Sequence, residues 1–513
     1  MDLKNKRVAM HNLGCKVNSY EAEAMVAELR EAGAEIVSWD TDKADIYIVN
    51  TCSVTNIADR KSRQMIHKAH AMNPEAVVIA VGCYVQARAE ELKEDNAVDI
   101  LIGNNEKSRL IPVLEEYYFN HGIKETAGVT EHGHVAEEND NECAEDYTET
   151  FAEKQVKLPK SRWTGSSADI NGRNFKSRVS SYVNDISKER HYEELRTGEI
   201  EDEGRVFLKV QDGCNQFCSY CIIPLVRGRI RSRSVESTVK EVQDFAERGY
   251  HEMVLTGIHL SSYGLDFDDS NYEYAMDHDI PSEHLLELIR SVAAVPGVER
   301  VRLGSLEPRI ITEAFVDELK KIPELCPHFH LSLQSGCDRT LKQMNRHYTT
   351  EDFRRSVSII RKAWKNAAVT TDVIVGFPGE TSEDFEESYK FIDEIGFYEL
   401  HVFKYSRRQG TVADRMKEQV PDKIKSERSE RLIKLDGLKS QEFRKRYIGA
   451  QEEIIPEEIV EIKGVKYLRG YNRSYVRYLI PFTECGSDES KIGQIIRVVG
   501  RDFCETCVLA MPI

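Results

Sequence analysis

The strongest constraint on the fold is an alternation of apolar strand-like runs with amphipathic helix-like runs, which occurs twice along the chain. In the first series, RVAMHNLG, DIYIVNTC and AVVIAVGC alternate with helix patterns such as SYEAEAMVAELREAG and IADRKSRQMIHKAHAMNP. Strands that alternate with helices form parallel sheets with helices on both faces. Residues 1–123 are therefore predicted to form a doubly wound parallel α/β domain.

The second series begins at Arg205 and contains six strand patterns with helices between them, from RVFLKVQDGC to YELHVFKYS. This pattern fits a partial TIM-like (β/α)6 barrel, which we assign to residues 205–448 together with a charged helix at its end. The tail changes to short strand-like runs, so residues 449–513 are predicted to form a small antiparallel, OB-like β-barrel. The chain is thus predicted to be a multidomain α/β protein.

Residues 124–204 separate the two series. From Glu131 to Lys160 there are nine acidic residues against three lysines, and the stretch that follows is polar with little periodicity. Such a composition is typical of an irregular insertion or linker. We expect this insertion to be mobile and dispensable, so that deletion of residues 131–200 leaves the metal sites intact.

Charge and hydropathy exclude several classes of protein. No run of 18 apolar residues exists and the first residues contain no secretory signal, which predicts a cytoplasmic protein without a membrane-spanning helix. The net charge of −17 argues against a chain that coats nucleic acid over its whole surface, but a local basic groove remains compatible with it. Twelve cysteines in a reducing compartment favour metal ligands or catalytic thiols over disulfides.

Three of these cysteines follow strand patterns of the first series. Cys15, Cys52 and Cys83 come after the first three strong strands. Ligands of open parallel sheets lie beyond the carboxyl ends of the strands, so the three thiols are expected to converge on one site. The alternative is that they are three unrelated buried cysteines.

The most specific local motif is Cys214-x3-Cys218-x2-Cys221, at the end of the first barrel strand. Three thiolates at this spacing can hold three irons of a 4Fe-4S cluster and leave the fourth iron open for a small molecule. Zinc is the main alternative, but a closed zinc site needs a fourth cysteine or histidine, and none lies close in the sequence.

This motif, at the mouth of a six-stranded barrel, resembles the radical SAM superfamily. NLGCKVNSYEAE, IVNTCSVTNIADRKSRQMI and VGCYVQ resemble the N-terminal domain of the methylthiotransferases. VQDGCNQFCSYCIIPLVRGRIRSR, LGSLEP, HFHLSLQSGCDRTLKQMNR and TTDVIVGFPGET resemble their radical domain, and the tail resembles their TRAM RNA-binding barrel. The resemblance covers the chain outside residues 124–204. Within the family, the motifs are most similar to the bacterial branch that acts on N6-threonylcarbamoyladenosine in tRNA.

The resemblance implies an enzyme with two 4Fe-4S clusters. Cys214, Cys218 and Cys221 would hold the cluster that binds and cleaves S-adenosylmethionine to a 5′-deoxyadenosyl radical. Cys15, Cys52 and Cys83 would hold an auxiliary cluster that carries the transferred sulfur. One S-adenosylmethionine methylates this sulfur, a second supplies the radical, and the methylthio group replaces hydrogen at C2 of adenosine 37 beside the anticodon. An inert aromatic C–H bond requires such chemistry, because no side-chain base removes that proton at neutral pH.

The same resemblance implies further partners. They are the tRNA anticodon stem-loop, an electron donor such as flavodoxin or ferredoxin, and a sulfur source.

Seven residues at strand ends and turns of the barrel are candidates for binding S-adenosylmethionine, by their position or by the resemblance. The alternative for each is a polar or glycine residue that satisfies the local backbone. The candidates are Thr256, Gly257, Glu307, Ser332, Gln334, Gly376 and Gly379. His259 and His330, in apolar strands, are expected to be core histidines with satisfied hydrogen bonds rather than ligands.

Two basic stretches are candidates for binding substrate or RNA. The first follows the cysteine motif and supplies Arg227, Arg229 and Arg233, whose alternative role is a solvated basic loop. The second lies in the tail, where basic residues and tyrosines alternate, as in barrels that pair cations with phosphates and stack aromatic rings on bases. Its alternative is a charged outer face, and its candidates are Lys466, Arg469, Tyr471 and Arg473.

Three other functions compete with methylthiolation of threonylcarbamoyladenosine. The same chemistry on N6-isopentenyladenosine 37 or on a ribosomal-protein aspartate is the nearest alternative. A non-catalytic iron–sulfur RNA-binding sensor would have the clusters without cleavage of S-adenosylmethionine. A zinc-binding RNA module would contain neither iron nor sulfide.

Overall fold

The computed structural model describes residues 3–4, 6–41, 43–121, 179–198, 204–267 and 279–513. Across these ranges, the chain has no helix that is both long and apolar enough to cross a membrane.

The N-terminal domain is a parallel sheet of six strands between two layers of helices. Its strand order is β2-β1-β3-β4-β5-β6. The strands are β1 Arg7–Asn12, β2 Glu35–Ile36, β3 Ile46–Thr51, β4 Val77–Gly82, β5 Ile100–Ile102 and β6 Ser180–Tyr182. The helices are α1 Lys16–Glu31, α2 Asn56–Met72, α3 Cys83–Leu92 and α4 Leu110–Asn120.

Alternation along the strands explains the two helix layers. In β3, Ile46 and Ile48 face the core shared with α1 and α4, while Tyr47 and Val49 face the core shared with α2 and α3. Successive side chains of a strand point to opposite faces, so an unbroken apolar strand has to be covered on both sides. The predicted doubly wound domain is confirmed.

The prediction that residues 124–204 are irregular is wrong for their last part. Ser180–Tyr182 forms strand β6, which pairs in parallel with β5 at the edge of the N-terminal sheet. After it, Leu195 is buried against Tyr20 and Ala24 of α1. The strand escaped prediction because three residues, two of them serines, carry no hydrophobic period. The rest of the predicted insertion, apart from residue 204, covers residues 124–178 and 199–203 and lies outside the described residues.

The central domain is an open barrel of parallel strands with helices outside. The strands are β7 Arg205–Asp212, β8 Arg231–Ser232, β9 Glu252–Gly257, β10 Arg300–Leu303, β11 Ser305–Leu306, β12 His328–Leu331, β13 Ala368–Val375 and β14 Glu399–Lys404. The helices are α5 Ile223–Val226, α6 Val235–Glu247, α7 Glu283–Ala293, α8 Glu313–Leu319, α9 Asp338–Gln343, α10 Thr350–Ala363, α11 Ser382–Ile395 and α12 Asp422–Arg444. The strands form two four-stranded sheets, β10-β9-β7-β8 and β11-β12-β13-β14, and β8 pairs antiparallel with β7. Because β10 and β11 follow each other in the chain, counting them as one position gives the six predicted parallel positions.

The interior of this barrel, here called the lumen, is polar. The apolar residues of each strand, such as Val206 and Leu208 of β7, belong to the core beneath the outer helices. The alternate residues therefore face the lumen. Among them are Arg205, Phe207, Lys209, Glu252, Arg300, Arg302, His328, His330, Asp372 and His401.

The C-terminal domain is a small closed barrel with strand order β15-β16-β17-β19-β18. Its strands are β15 Gln451–Ile462, β16 Val465–Tyr471, β17 Arg477–Pro481, β18 Ile496–Cys504 and β19 Cys507–Pro512. All neighbouring pairs are antiparallel except β17 with β19, which pair in parallel. The predicted small barrel is confirmed, with that one difference in topology.

This small barrel closes the floor of the lumen. In the turn between β16 and β17, the ring of Tyr475 stacks on His328 with 4.7 Å between ring centroids. Arg302 donates from the central barrel to the carbonyls of Asn472 and Arg473, at 3.3 and 3.0 Å. The tail is therefore built into the bottom of the central barrel.

The N-terminal domain closes the lateral gap of the open barrel. At the β7 edge, Lys209 forms an ion pair of 2.7 Å with Glu21 of α1. Beyond β14, Arg408 pairs with Asp59, and Ser406 accepts a hydrogen bond of 3.0 Å from the amide of Asn56. The lumen is thus bounded by residues of all three domains.

Candidate functional site

Three cysteines lie at the carboxyl ends of three adjacent strands of the N-terminal sheet. β1, β3 and β4 are neighbours in the sheet. Cys15 precedes α1 three residues after β1 ends, Cys52 directly follows β3, and Cys83 begins α3 directly after β4. The arrangement expected from the strand ends is therefore present.

Close backbone packing brings these cysteines together. Gly14 has φ +121°, and a Cβ placed on it would lie 3.2 Å from the Cβ of Cys52. A side chain at position 14 would therefore be strained and would crowd the first two cysteines. Burial, together with the neighbouring Cys83 and Cys15, raises the pKa of Cys52 to about 11. Together, Cys15, Cys52 and Cys83 are called the N-terminal trio.

The second trio, Cys214, Cys218 and Cys221, occupies the loop after β7. The loop turns at Gly213, which has φ +68°, and the amide of Cys214 donates to the carbonyl of Gly228 at 3.0 Å. Burial and the charge of Cys218 raise the pKa of Cys221 to about 12. We call this group the barrel trio.

Spacing and charge test whether the trios fit iron–sulfur clusters. A single tetrahedral zinc ion with 2.3 Å bonds holds its sulfurs roughly 3.8 Å apart. Over the part of the chain that is described, His330, Asp372 and His401 alone form a group whose ligand atoms all lie within 4.8 Å of one another, so neither trio is that compact. A wider spacing of the three sulfurs suits the corners of a cubane cluster. Burial raises the pKa of these thiols, and coordination to iron would keep them deprotonated as thiolates.

The two trios are close neighbours. Cys83 packs against Ile222 and Val226, and Ile222 directly follows Cys221. Asn104 links the same elements, donating to the carbonyl of Val226 at 2.7 Å and contacting the sulfur of Cys83 at 3.5 Å. A group held by one trio therefore lies next to a group held by the other.

A buried charge network lies beneath the trios. Glu21 pairs with Lys107, Lys209 and Arg227 at 2.9, 2.7 and 2.9 Å. Although burial opposes ionisation, these three cations hold the pKa of Glu21 well below its usual range. Asp212 pairs with Lys209, with Arg227 and, at 3.6 Å, with Arg231.

The network places cations next to the N-terminal trio. Four fully buried cations surround two carboxylates, and Glu193 and Glu189 also act on Lys209 and Arg231. Arg227 also interacts with Cys83. Clusters held by thiolates are anionic and would be stabilised by these cations, so the residues present fit the two groups.

The prediction that Arg227 and Arg233 bind substrate or RNA is wrong. Arg227 is fully buried in the network, and its second Nη donates to Asn18 at 2.7 Å. Arg233 is 1% exposed and pairs with Glu241 and with Glu194. Neither guanidinium can reach a phosphate. Arg229 is half-buried with its guanidinium over the ring of Phe217, and its assignment stays a prediction.

The barrel trio is connected to one candidate for cofactor binding. Arg346 donates to the sulfur of Cys218 at 3.1 Å and lies 4.0 Å from the carboxylate of Glu307. Glu307 is buried and also pairs with His259 at 3.1 Å. His259 thus has a hydrogen-bond partner, as predicted, and so does His330, which bonds Thr370 but faces the lumen and not the core. Arg346 was missed because nothing in its local pattern signals a contact with a cysteine 128 residues away.

The remaining candidates on the strands lie at the rim of the barrel. Thr256 and Gly257 end β9, and Thr256 is buried. Ser332 and Gln334 follow β12; Gln334 has φ +66° and bridges to β13. Their assignment to S-adenosylmethionine stays a prediction.

The backbone amides of Gly376 and Gly379 have hydrogen-bond partners within the protein, which is an alternative to a role in binding S-adenosylmethionine. The amide of Gly376 donates to Glu380, and that of Gly379 donates to the carbonyl of Glu418 at 2.8 Å. Burial raises the pKa of Glu380 to about 7. Both amides are therefore used inside the chain, and the assignment of the two glycines to the cofactor stays a prediction.

Two of the four tail candidates belong to the interface between domains. Arg473 donates to the carbonyl of Leu325 at 3.0 Å, and Tyr471 stacks on Tyr475 at 4.6 Å. Arg473 is half-buried, and its assignment and that of Tyr471 to RNA binding stay predictions. Lys466 is exposed and Arg469 pairs with Glu458, so both remain candidates on the outer face.

The fold and the cysteine loop after the first barrel strand define the class of protein. A sequence profile of the radical SAM superfamily matches residues 208–392, and a profile of the uncharacterized protein family UPF0004 matches residues 7–103. Among solved structures, the radical S-adenosylmethionine methyltransferase TsrM from Kitasatospora setae is similar, with a TM-score of 0.51 and 16% identity, over 80% of this chain and 77% of that one. This likeness concerns the fold. The chain has the architecture of a radical SAM protein.

Sequence relatives narrow the class. The threonylcarbamoyladenosine tRNA methylthiotransferase MtaB of Bacillus subtilis (strain 168) is 37% identical, covering 96% of this chain and 93% of the relative. The protein of the same name from Aquifex aeolicus (strain VF5) is 34% identical, covering 90% and 97%. A tRNA-2-methylthio-N(6)-dimethylallyladenosine synthase of Clostridium tetani is 30% identical, covering 85% and 82%. The chain belongs to this family of radical SAM methylthiotransferases, which confirms the resemblance.

Membership makes the protein a transferase that uses S-adenosylmethionine and 4Fe-4S chemistry.

Proposed function

We propose that the protein methylthiolates C2 of N6-threonylcarbamoyladenosine at position 37 of tRNA, giving 2-methylthio-N6-threonylcarbamoyladenosine. Cys214, Cys218 and Cys221 hold the 4Fe-4S cluster that binds S-adenosylmethionine. Cys15, Cys52 and Cys83 hold the auxiliary cluster. When bound, these groups supply cleavage of S-adenosylmethionine, activation of an aromatic C–H bond and delivery of a methylated sulfur.

The observation that carries the choice of reaction is the position of the two trios. Cys83 contacts the residue next to Cys221, so the two trios lie beside each other. Methylthiolation needs a carbon centre activated at one group and sulfur delivered from the other, and proximity of this kind replaces a diffusional encounter. Arg346 holds the thiolate of Cys218, and the carboxylate of Glu307 balances the positive charge of Arg346.

The lumen supports the choice of substrate. Charged and histidine side chains line it, including Arg205, Glu252, Arg302 and Asp372. An isopentenyl group offers no hydrogen bond to a polar wall, whereas threonylcarbamoyl offers a carboxylate, a hydroxyl and a ureido group. The lumen therefore favours threonylcarbamoyladenosine over the isopentenyl substrate.

Other partners follow from the reaction. The anticodon stem-loop approaches the mouth of the lumen, and Lys466 and Arg469 of the small barrel contribute phosphate contacts. The radical chemistry draws electrons from a donor such as flavodoxin or ferredoxin, and the transferred sulfur is renewed from a separate source. The reaction takes place in the cytoplasm, where tRNA is modified.

The function is tested by mass spectrometry of tRNA nucleosides from cells with and without this gene. We expect loss of 2-methylthio-N6-threonylcarbamoyladenosine and accumulation of its precursor, both reversed by the intact gene. Loss of the methylthio form of isopentenyladenosine instead would move the substrate to the other branch. If no tRNA nucleoside changed, the proposal would be wrong.

The two cluster sites are tested separately by Cys52→Ala and Cys218→Ala. Each variant is expected to lose about half of the iron and sulfide, because each removes one ligand of a three-thiolate set. Cys52→Ala should still produce 5′-deoxyadenosine from S-adenosylmethionine under reduction, and Cys218→Ala should not. Cys485→Ala, in the small barrel, is the control and should retain all of the iron. Unchanged iron in Cys52→Ala would contradict the auxiliary site.

A further inference from the structure

Lys16 is a cation placed between the N-terminal trio and the lumen. It directly follows Cys15 and begins α1. In the part of the chain that the structure describes, no carboxylate lies within ion-pair distance of its ammonium group. The Nζ atom of Lys16 lies 5.1 Å from the ring centroid of Phe207 and 5.7 Å from that of Tyr475.

Charges from many strands locate Lys16 inside the lumen. Its ammonium group interacts with Arg205 of β7, Glu252 of β9 and Arg302 of β10. It also acts on His328 of β12 and His401 of β14. Despite these neighbours, its side chain stays accessible to solvent, as expected for a group in an open lumen.

The three arginines of the lumen each lie within ion-pair distance of a carboxylate, although two of them share Glu252 and the Nε and Nη1 atoms of Arg205 have no hydrogen-bond partner among the described residues. Arg302 and Arg300 pair with Glu252 at 2.7 and 3.5 Å. Arg205 pairs with Glu457 of the small barrel at 3.1 Å. On the opposite wall, Asp372 lies 3.2 Å from His330 and presents negative charge. An anionic ligand in the lumen is therefore directed to the Lys16 side.

The chemistry of the substrate places an anion at this point. In a purine, C2 and C6 both flank N1, so a group attached to N6 lies beside the carbon that reacts. The carbon that receives sulfur must approach the group held by Cys15, Cys52 and Cys83. A carboxylate at the end of the N6 substituent consequently comes close to the residue that follows Cys15.

We propose that Lys16 is the specificity-determining residue that binds the carboxylate of the threonylcarbamoyl group. This inference rests on the proposed function and adds to it the residue that recognises the N6 substituent of the adenine. The ammonium group forms a charge-assisted hydrogen bond with the carboxylate inside the lumen. It thereby fixes the base with C2 toward the N-terminal trio, and it disfavours neutral substituents, which leave the cation without a partner.

The test combines a change in the protein with a change in the substrate. Lys16→Met keeps most of the side-chain volume and removes the charge, and a stem-loop carrying the methyl ester of threonylcarbamoyladenosine removes the carboxylate charge. With the free acid, we expect Lys16→Met to lower kcat/KM and weaken binding by on the order of 10- to 100-fold. With the ester, the variant and the wild-type enzyme should perform alike. Lys16→Arg should retain most of the discrimination.

Binding is measured by fluorescence anisotropy with the cluster-loaded enzyme, so a result is obtained even without turnover. Iron, sulfide and the visible spectrum of Lys16→Met are compared with the wild type, because the residue adjoins a proposed ligand. Lys240→Met, an exposed lysine on α6, is the matched control and should behave as wild type with both stem-loops.

Equal losses on the acid and the ester would overturn the proposal, since Lys16 would then serve the fold or the cluster. An unmodified wild-type enzyme that binds acid and ester equally would overturn it as well. If the wild-type enzyme showed the binding difference but methylthiolated no threonylcarbamoyladenosine, the proposed function would fail while the assignment of Lys16 stood.

Discussion

Among single residues, Glu21 is the one on which most buried charge depends. Its carboxylate contacts Lys107, Lys209 and Arg227 and therefore joins the N-terminal domain to the first strand of the barrel. None of these four side chains is exposed. Removing one partner from such a group leaves the others charged and desolvated, which costs far more than the pair contributes when intact.

We predict that Glu21→Gln lowers the free energy of unfolding by about 3–5 kcal/mol, because buried cations lose their counter-charge. Denaturant unfolding of the purified protein measures this loss. Glu386→Gln is the matched control: its pair with Arg431 lies at the surface, where breaking a pair costs within about 1 kcal/mol. Equal stability of the two variants would show that the network is not needed for folding.

At the scale of elements, the segment of residues 179–198 connects parts that are distant in sequence. Strand β6 extends the N-terminal sheet, and the carbonyl of Leu195 accepts a hydrogen bond of 2.7 Å from Tyr20. Thr197 bonds Glu241 of α6 at 2.9 Å. The segment thus contacts both domains at their junction, which argues against the expectation that residues 131–200 can be removed without effect.

The prediction at this scale compares two deletions. Removal of residues 131–200 should lower the melting temperature and the iron content, since it exposes Tyr20 and leaves Glu241 without Thr197. Removal of residues 131–178 keeps every one of these contacts and is expected to preserve both properties. Thermal unfolding and iron analysis compare the two deletion variants. Equal melting temperatures and iron contents would show that residues 179–198 do not stabilise the protein.

Over the whole molecule, Tyr475 fixes the small barrel to the floor of the lumen. Its backbone has φ +64°, a conformation that a tyrosine adopts only when its surroundings hold it. The ring stacks on His328, and the guanidinium of Arg302 lies 4.9 Å from its centroid. The contact joins two domains through one side chain.

We predict that Tyr475→Ala loosens the small barrel and destabilises the protein by about 2 kcal/mol, through loss of ring burial and cation–π contacts. Limited proteolysis near residues 445–451 should become faster. Tyr467→Ala, a half-buried tyrosine of β16, is the control and should leave that cleavage rate nearly unchanged. Unchanged proteolysis of Tyr475→Ala would show that other contacts suffice for docking.

The sequence predicts features that depend on local pattern and misses those that depend on distant partners. The strand ends at Cys15, Cys52 and Cys83 follow from hydrophobic runs and the geometry of parallel sheets. The arginines after Cys221 were misassigned because the partner of Arg227, Glu21, lies 206 residues away. The residues next to a charged side chain in the sequence do not indicate whether that side chain is buried.

Closure of the lumen on two sides has a consequence for the order of events in a catalytic cycle. In the described part of the chain, Tyr475 fills the floor, and the pairs Lys209–Glu21 and Arg408–Asp59 seal the flank. Small molecules and the modified base are therefore expected to enter and leave through the same opening, at the carboxyl ends of the strands. If the anticodon loop binds at that opening, we expect the products of S-adenosylmethionine to leave only after the tRNA dissociates, so that release of the tRNA limits the rate of each catalytic cycle.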